Sequence, residues 1–278
     1  MKRIKILSLG IFLSLSFAMA AWAGVSEMVD SLVWTYFQGQ PIAVLSQTNP
    51  DLDVQTAYQV QKGYVQMRMA TDKVAGFKAG LTTEAAQRAF GVDFPLTGIL
   101  YDSGKLEGSP VVDAKAFRRL GIETEIGFVI GQSINQPIQD IQELQKMVIA
   151  VMPTIELPDL GFAGDMKEVK GVDLIAANVG AAKFIAGTPR PHQGVNLNQV
   201  NVTLSYNGQA LYQGKGAEAL GDQWKAALWM VNSVVKQGYK VEPGHILITG
   251  ALGKLVPGKP GQYVADYGDF GKISFEVK

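Results

Sequence analysis

The 278-residue chain contains no cysteine and only two histidines. Without cysteine there are no disulfides, thiolate nucleophiles or Cys-ligated zinc sites, so any chemistry must come from oxygen and nitrogen groups. Charge is sparse as well. Charged residues make up 18 % of the chain, and 25 Lys and Arg balance 25 Asp and Glu. Such a balance provides no basic field for nucleic acid. The chain also lacks a Gly-x-Ser-x-Gly nucleophile elbow and a Gly-x-x-x-x-Gly-Lys-Ser/Thr phosphate loop. Internal repeats, low-complexity tracts and obvious flexible linkers are missing too. What the chain does have is 47 % apolar residues, enough for the core of one large domain or two small ones.

Residues 1–23 read as a secretory signal peptide. Lys2, Arg3 and Lys5 precede an apolar run from Ile6 to Met19, and small residues follow, ending in Ala21-Trp22-Ala23. The run is short for a membrane-spanning helix, which needs about 20 residues. Cleavage after Ala23 removes three basic and no acidic residues. The expectation is a mildly acidic soluble protein, periplasmic or secreted, with no membrane attachment after cleavage.

Residues 24–100 read as a small helical portion. Ser26 can cap a helix with Met28, Val29, Leu32, Val33, Tyr36 and Phe37 at helical spacing; Asp53 can cap a second; Thr82-Thr83 can start a third that ends near Gly91. From about Tyr101 the pattern changes to short β-branched segments separated by Gly, Pro and Asn, so residues 101–278 read as a β-rich body. Asn207-Gly208 marks a hairpin. Helices are expected over Ile138 to Val151 and Gln223 to Lys236, and strands at 246–249, near 263–265 and at 273–277. The fold class is α+β.

The segment Gly121-Ile122-Glu123-Thr124-Glu125-Ile126-Gly127 carries the strongest chemical signal. On a strand, Glu123 and Glu125 share one face with Gly127 and Val129. Their Cα atoms stand about 7 Å apart, two residues at roughly 3.3 Å each. Carboxylates so close repel unless a cation lies between them. Met152-Pro153-Thr154-Ile155-Glu156-Leu157 presents a third isolated acid. Three carboxylates without cysteine suit a hard divalent cation, Mg2+ or Mn2+, better than zinc. Glu-x-Glu is a weak pattern, and by spacing alone Glu123 and Glu125 fit the solvated face of an amphipathic strand better than a metal site. His192, in the loop-like Pro189 to Gly194 segment, and His245, just before an expected strand, are weak candidates for ligand or base.

Several separated segments occur together in one order: Gly76-Phe77-Lys78-Ala79-Gly80-Leu81-Thr82, Glu123-Thr124-Glu125-Ile126-Gly127-Phe128-Val129, Ile155-Glu156, Asp173-Leu174-Ile175-Ala176-Ala177-Asn178 and Ile248-Thr249-Gly250-Ala251-Leu252-Gly253. In this the chain resembles the 2-keto-4-pentenoate hydratases of the fumarylacetoacetase-like superfamily, over essentially all of residues 24–278. The resemblance implies a fumarylacetoacetase-like β-rich catalytic body. It implies Glu123, Glu125 and Glu156 as ligands of Mg2+ or Mn2+, and Lys78 in the active site. Asp173 and Asn178 become pocket candidates, with turn or cap formation as the alternative. A small 2-keto acid is the implied ligand, and self-association into a homo-oligomer is the implied assembly.

The departures from the family pattern are local. Leu96, in Phe94-Pro95-Leu96-Thr97-Gly98, stands where the hydratases carry an Asp, and the related 2-oxo-3-hexenedioate decarboxylases have an apolar residue there. Thr249-Gly250-Ala251-Leu252-Gly253 leans the other way, toward the hydratases. Ala177-Asn178 replaces an Asp-Asn pair, and Asp159-Leu160-Gly161 replaces an Asp-Ser-Arg run whose Arg could anchor a substrate carboxylate. Three readings stay open: a hydratase, a decarboxylase with the same metal site, and an exported 2-keto acid binding or vestigial protein.

Overall fold

The structure, a computed structural model, describes residues 24–278, so the expected signal peptide lies outside the described residues. Helix α1 covers residues 24–37 and buries Met28, Leu32 and Thr35 along one stripe. Ser26 lies inside that helix and does not cap it. After α2 (Leu45–Thr48) comes α3 (Val54–Arg68), capped by Asp53, whose carboxylate accepts the Thr56 amide at 2.7 Å. Thr83 caps α4 (Glu84–Ala89) in the same way.

The helical reading of residues 24–100 needs one correction. Val74–Gly80 forms β1 and Leu96–Tyr101 forms β2, an antiparallel pair within the main sheet. Both strands are buried across nearly their whole length. Buried strands lose the in-out alternation that a sequence pattern relies on, and the glycines of β1 weaken its β signature further.

Strands β3 (Lys105–Glu107) and β4 (Val111–Val112) follow, then the long β5 (Gly121–Ile130). The helix expected over Ile138 to Val151 is α5, Ile141–Met147 only, and Val148–Leu157 is the strand β6. Val148, Ile149 and Val151 are β-branched and fit a ladder against β5 better than a last helical turn. After α6 (Gly171–Ala176) and β7 (Lys183–Ala186), the hairpin β8 (Asn201–Tyr206) and β9 (Gln209–Lys215) turns at Asn207-Gly208 with both residues at positive φ, as expected. Helix α7 (Gln223–Lys236) matches its expected span, and β10 (Ile246–Ile248), β11 (Val256–Pro257), β12 (Gly261–Asp266) and β13 (Lys272–Val277) complete the chain.

The main sheet runs β2-β1-β10-β5-β6-β7-β3, with β11 added beside β5. Its two outermost strands are consecutive in sequence, joined by Asp102–Gly104 alone. Laid flat, six strand spacings of about 4.8 Å would separate those edges by roughly 29 Å, whereas the four Cα steps from Tyr101 to Lys105 reach at most about 14 Å. The sheet therefore curls back on itself into an incomplete barrel. Consistent with this, Leu100 of β2 clusters with Phe184 and Ala186 of β7. The outer face, with Phe77, Ile126, Phe128 and Ile155, packs on α7 and on a second sheet of order β4-β13-β12-β8-β9. The N-terminal helices and α6 hold a separate apolar cluster at the β2 side.

Candidate metal centre and active site

The inner face of the curled sheet collects the acids. Antiparallel pairing sets Glu123 of β5 opposite Glu156 of β6, and Glu125 opposite Thr154. One oxygen from each of Glu123, Glu125 and Glu156 lies within 4.8 Å of the others. Glu125 and Glu156 are fully buried, while Glu123 keeps some exposure. Spacing alone favours solvated positions on an amphipathic strand. The antiparallel partner and the curl of the sheet bury them instead.

Their hydrogen bonds are incomplete. Glu125 Oε2 accepts the Gly250 amide at 2.6 Å and Glu156 Oε1 pairs with Lys78 Nζ, but Glu125 Oε1 and Glu156 Oε2 have no partner among the described residues. A buried polar atom left unpaired costs about 1–3 kcal/mol, and more when charged. Burial first, and then the neighbouring Glu156, push the Glu123 carboxyl up to about 7. Burial, Glu156 and Glu123 hold Glu125 well above the usual carboxylate range. A hard divalent cation would satisfy both orphan oxygens and remove the repulsion, so the donor set fits such an ion.

Lys78 enters from β1, opposite Gly98 of β2. A Cβ on Gly98 would stand 3.1 Å from Lys78 Cγ and 2.8 Å from the Asn178 carbonyl oxygen, so the glycine is the notch through which the lysine stem passes. Nζ donates to Glu156 and to the Val179 carbonyl at 3.2 Å. Burial opposes the charge on Lys78, yet Glu156, Glu123 and Glu125 together raise its pKa above the ordinary lysine value. Lys78 is 3 % exposed and is an ammonium paired within the cluster, not a surface lysine.

The remaining expected residues divide by role. Asn178 does not present its amide to the acids. It accepts the Ile99 amide at 2.8 Å and donates to the Ile99 carbonyl at 2.9 Å, clamping β2. Asn178 and Val179 both take positive φ, 56° and 53°, conformations that cost non-glycine residues energy. That turn aims the Val179 carbonyl at Lys78. Asp173 is further removed, its carboxylate engaged by Ser46 N, Ser46 Oγ and Lys170 N, so it acts as a cap joining α2 to α6. Leu96 pairs with Gly80 and is fully buried in the N-terminal apolar cluster. An acid at that point would need a partner the cluster does not offer.

Neither histidine joins the site. His192 lies edge-on to Trp224 at 5.2 Å, and His245 uses Nδ1 to accept the Glu242 amide at 3.0 Å. Two residues that sequence reasoning passed over do belong. Thr154, buried opposite Glu125, has an Oγ1 without a partner among the described residues. Tyr267 donates to the Thr154 carbonyl at 2.6 Å and accepts the Glu125 amide at 3.2 Å, tying β5 to β6. Nothing local in sequence marks either. Their roles arise from strand pairing.

No protein-family profile matches the chain. Known proteins do. A 2-keto-4-pentenoate hydratase of Paraburkholderia xenovorans (strain LB400) is 32 % identical over 237 residues, covering 84 % of this chain and 87 % of that one. A 4-oxalocrotonate decarboxylase of Pseudomonas sp. (strain CF600) is 28 % identical over 217 residues, 77 % of this chain and 81 % of that one. Among solved structures, 4-oxalocrotonate decarboxylase from Pseudomonas putida G7, complexed with magnesium and adipate, superposes with a TM-score of 0.85 at 24 % identity, over 91 % of this chain and 97 % of that one. That likeness confirms the α+β fumarylacetoacetase-like architecture, and the sequence relationship over most of both chains places this protein in the 2-keto-4-pentenoate hydratase family.

Proposed function

We propose that the protein adds water to a 2-hydroxy-2,4-dienoate or the corresponding 2-keto-enoate, with Mg2+ or Mn2+ held by Glu123, Glu125 and Glu156. The observation that carries this reading is the pair of orphan buried oxygens, Glu125 Oε1 and Glu156 Oε2, in a three-carboxylate cluster beside Lys78, within a chain of this family. When bound, the ion would supply Lewis acidity toward the carboxylate and keto oxygens of a 2-keto acid.

Lys78 Nζ has three N–H bonds, and Glu156 and Val179 take up two. The third is available to a substrate oxygen or carbon. Without the ion the three glutamates raise the Lys78 pKa above the ordinary lysine value; a protonated Lys78 can act as a proton donor or an orienting cation, and serves as a base only after giving that proton away. The unpartnered Thr154 hydroxyl can hold water on the same inner face. Hydration then places the water hydroxyl on one alkene carbon and a proton on its neighbour. The buried surroundings of the site, including Phe184, Met152 and Ile248, exclude bulk water.

A decarboxylase is the second reading, supported by the apolar Leu96 and by the relatives named for that activity. Incubating the purified protein and Mn2+ with a 2-hydroxydienoate and with a 2-oxo-enedioate separates the two. Loss of conjugation without CO2 supports hydration; CO2 release from the enedioate supports decarboxylation; turnover of neither sinks both. The signal-like residues 1–23 further support export to the periplasm or beyond. N-terminal sequencing of the exported protein should return Gly24, and an intact Met1 would refute this.

A further inference from the structure

A polar cavity of about 150 Å3 lies between α1, α3 and the segment 177–183. None of Glu123, Glu125, Glu156 and Lys78 lines it. Liquid water occupies about 30 Å3 per molecule, so the space suits about five waters or one small organic anion. Its lining is unbalanced in charge, with Arg68, Arg118 and Lys183 against the single acid Asp159.

Asp159 is fully committed. It takes the Arg118 guanidinium at 2.9 Å and the amides of Arg118, Arg119 and Gly161. Arg118 also gives Nε to the Gln40 carbonyl and Nη2 to the Thr35 and Tyr36 carbonyls. Arg68 differs. Its guanidinium is held between the rings of Tyr36, at 3.8 Å, and Tyr101, at 4.4 Å. Among the described residues it has one carboxylate neighbour, Asp72, whose Oδ2 is 3.9 Å away, beyond hydrogen-bond reach. Asp72 is already engaged by Ser103 Oγ and by the Ser103 and Lys73 amides. Lys183 forms no ion pair among the described residues. A mostly buried guanidinium, held between two aromatic rings and, among the described residues, with its one carboxylate neighbour beyond hydrogen-bond reach, can turn N–H groups toward an oxyanion.

We propose that this cavity binds a compact oxyanion, a carboxylate or a phosphate, with Arg68 as its main donor and Lys183 as a second positive wall. The inference stands independently of the proposed reaction. It has a link to it, because Ala177, Gly180 and Ala181 line the cavity and flank the Asn178-Val179 turn that holds Lys78.

The test is calorimetric titration of the purified protein, dialysed free of metal, with sodium phosphate and separately with sodium pyruvate, each against sodium chloride at matched ionic strength. Saturable binding of at least one is expected in the wild type, retained in Glu125→Gln and weakened about tenfold or more in Arg68→Gln. Phosphate alone identifies a phosphate site, pyruvate alone a carboxylate site, and both a site for the shared oxyanion. Should Arg68→Gln fail to fold, Lys183→Gln, at a partly exposed position without an ion pair among the described residues, provides the same comparison with a several-fold loss expected. Absence of saturable binding above the chloride control overturns the proposal. So does binding that both substitutions leave unchanged, or binding that disappears in Glu125→Gln, which would assign it to the carboxylate cluster.

Discussion

Gly98 and Lys78 face each other across the β1–β2 ladder, and the missing side chain of the first is the space used by the second. Gly98→Ala would press a methyl group against the Asn178 carbonyl and the lysine stem. Stability should fall by about 1–3 kcal/mol. Turnover should fall as well, with Mn2+ affinity nearly intact, because no metal-holding residue moves. Comparing kcat with calorimetric Mn2+ affinity checks this, and equal loss in both would refute it.

Glu125→Gln keeps the hydrogen bond from Gly250 but removes one negative charge and one orphan carboxylate oxygen. Mn2+ affinity should drop about tenfold or more. Unchanged affinity in a calorimetric titration would remove Glu125 from the metal site.

Lys78→Ala separates ion binding from chemistry. With the ammonium gone, the three carboxylates are more negative, so Mn2+ should bind as well as before or better. If Lys78 takes part in proton transfer, kcat should fall by about 10²-fold or more. A variant with unimpaired kcat would leave the lysine a purely structural counter-charge.

Glu123 and Glu125 hold their protons more tightly in the folded than in the unfolded chain. The folded metal-free protein is therefore favoured at low pH and loses that advantage as pH rises from the ordinary carboxylate range through about 7. Lys78 adds no slope there, since its raised pKa matters only above the ordinary lysine value. His245, lowered by burial, acts in the opposite sense below its ordinary value. The clean measurement is thus the difference in thermal stability between wild type and Glu123→Gln, from pH 5 to 8 without metal. The wild type should lose ground to the variant as pH rises, and added Mg2+ should help the wild type more at pH 8 than at pH 5. A pH-independent difference would contradict the buried, repelling cluster.

Local signals were legible wherever a few neighbouring residues decide the structure. Asp53 and Thr83 cap because their oxygens reach amides three residues on, and Asn207-Gly208 turns because both tolerate positive φ. The shared face of Glu123 and Glu125 follows from strand alternation alone. By contrast, β1 and β2 were hidden by small residues and burial on both sides. The facing of Glu123 and Glu156, the Gly98 notch and the roles of Thr154 and Tyr267 depend on pairings between distant segments, which no sequence window contains. Asp173 is the clearest case of position without pocket chemistry, since its neighbours in space turn out to be Ser46 and Lys170.

The order of the main sheet also governs when the site can exist. Strand β10 sits between β1 and β5, with Ile248 paired to Lys78 on one side and to Gly127 on the other. The lysine and the glutamates are thus joined through a segment some 170 residues beyond Lys78. During synthesis β5 and β6 can pair early, bringing the three acids together, and β1 can pair with β2 around Lys78, but β10, the strand that joins these two pairs, emerges last. Closure over such a separation is slow, so folding commits late, after residue 248 has emerged. A chain cut short before β10 would carry every side chain of the cluster and still lack the wedge that assembles them.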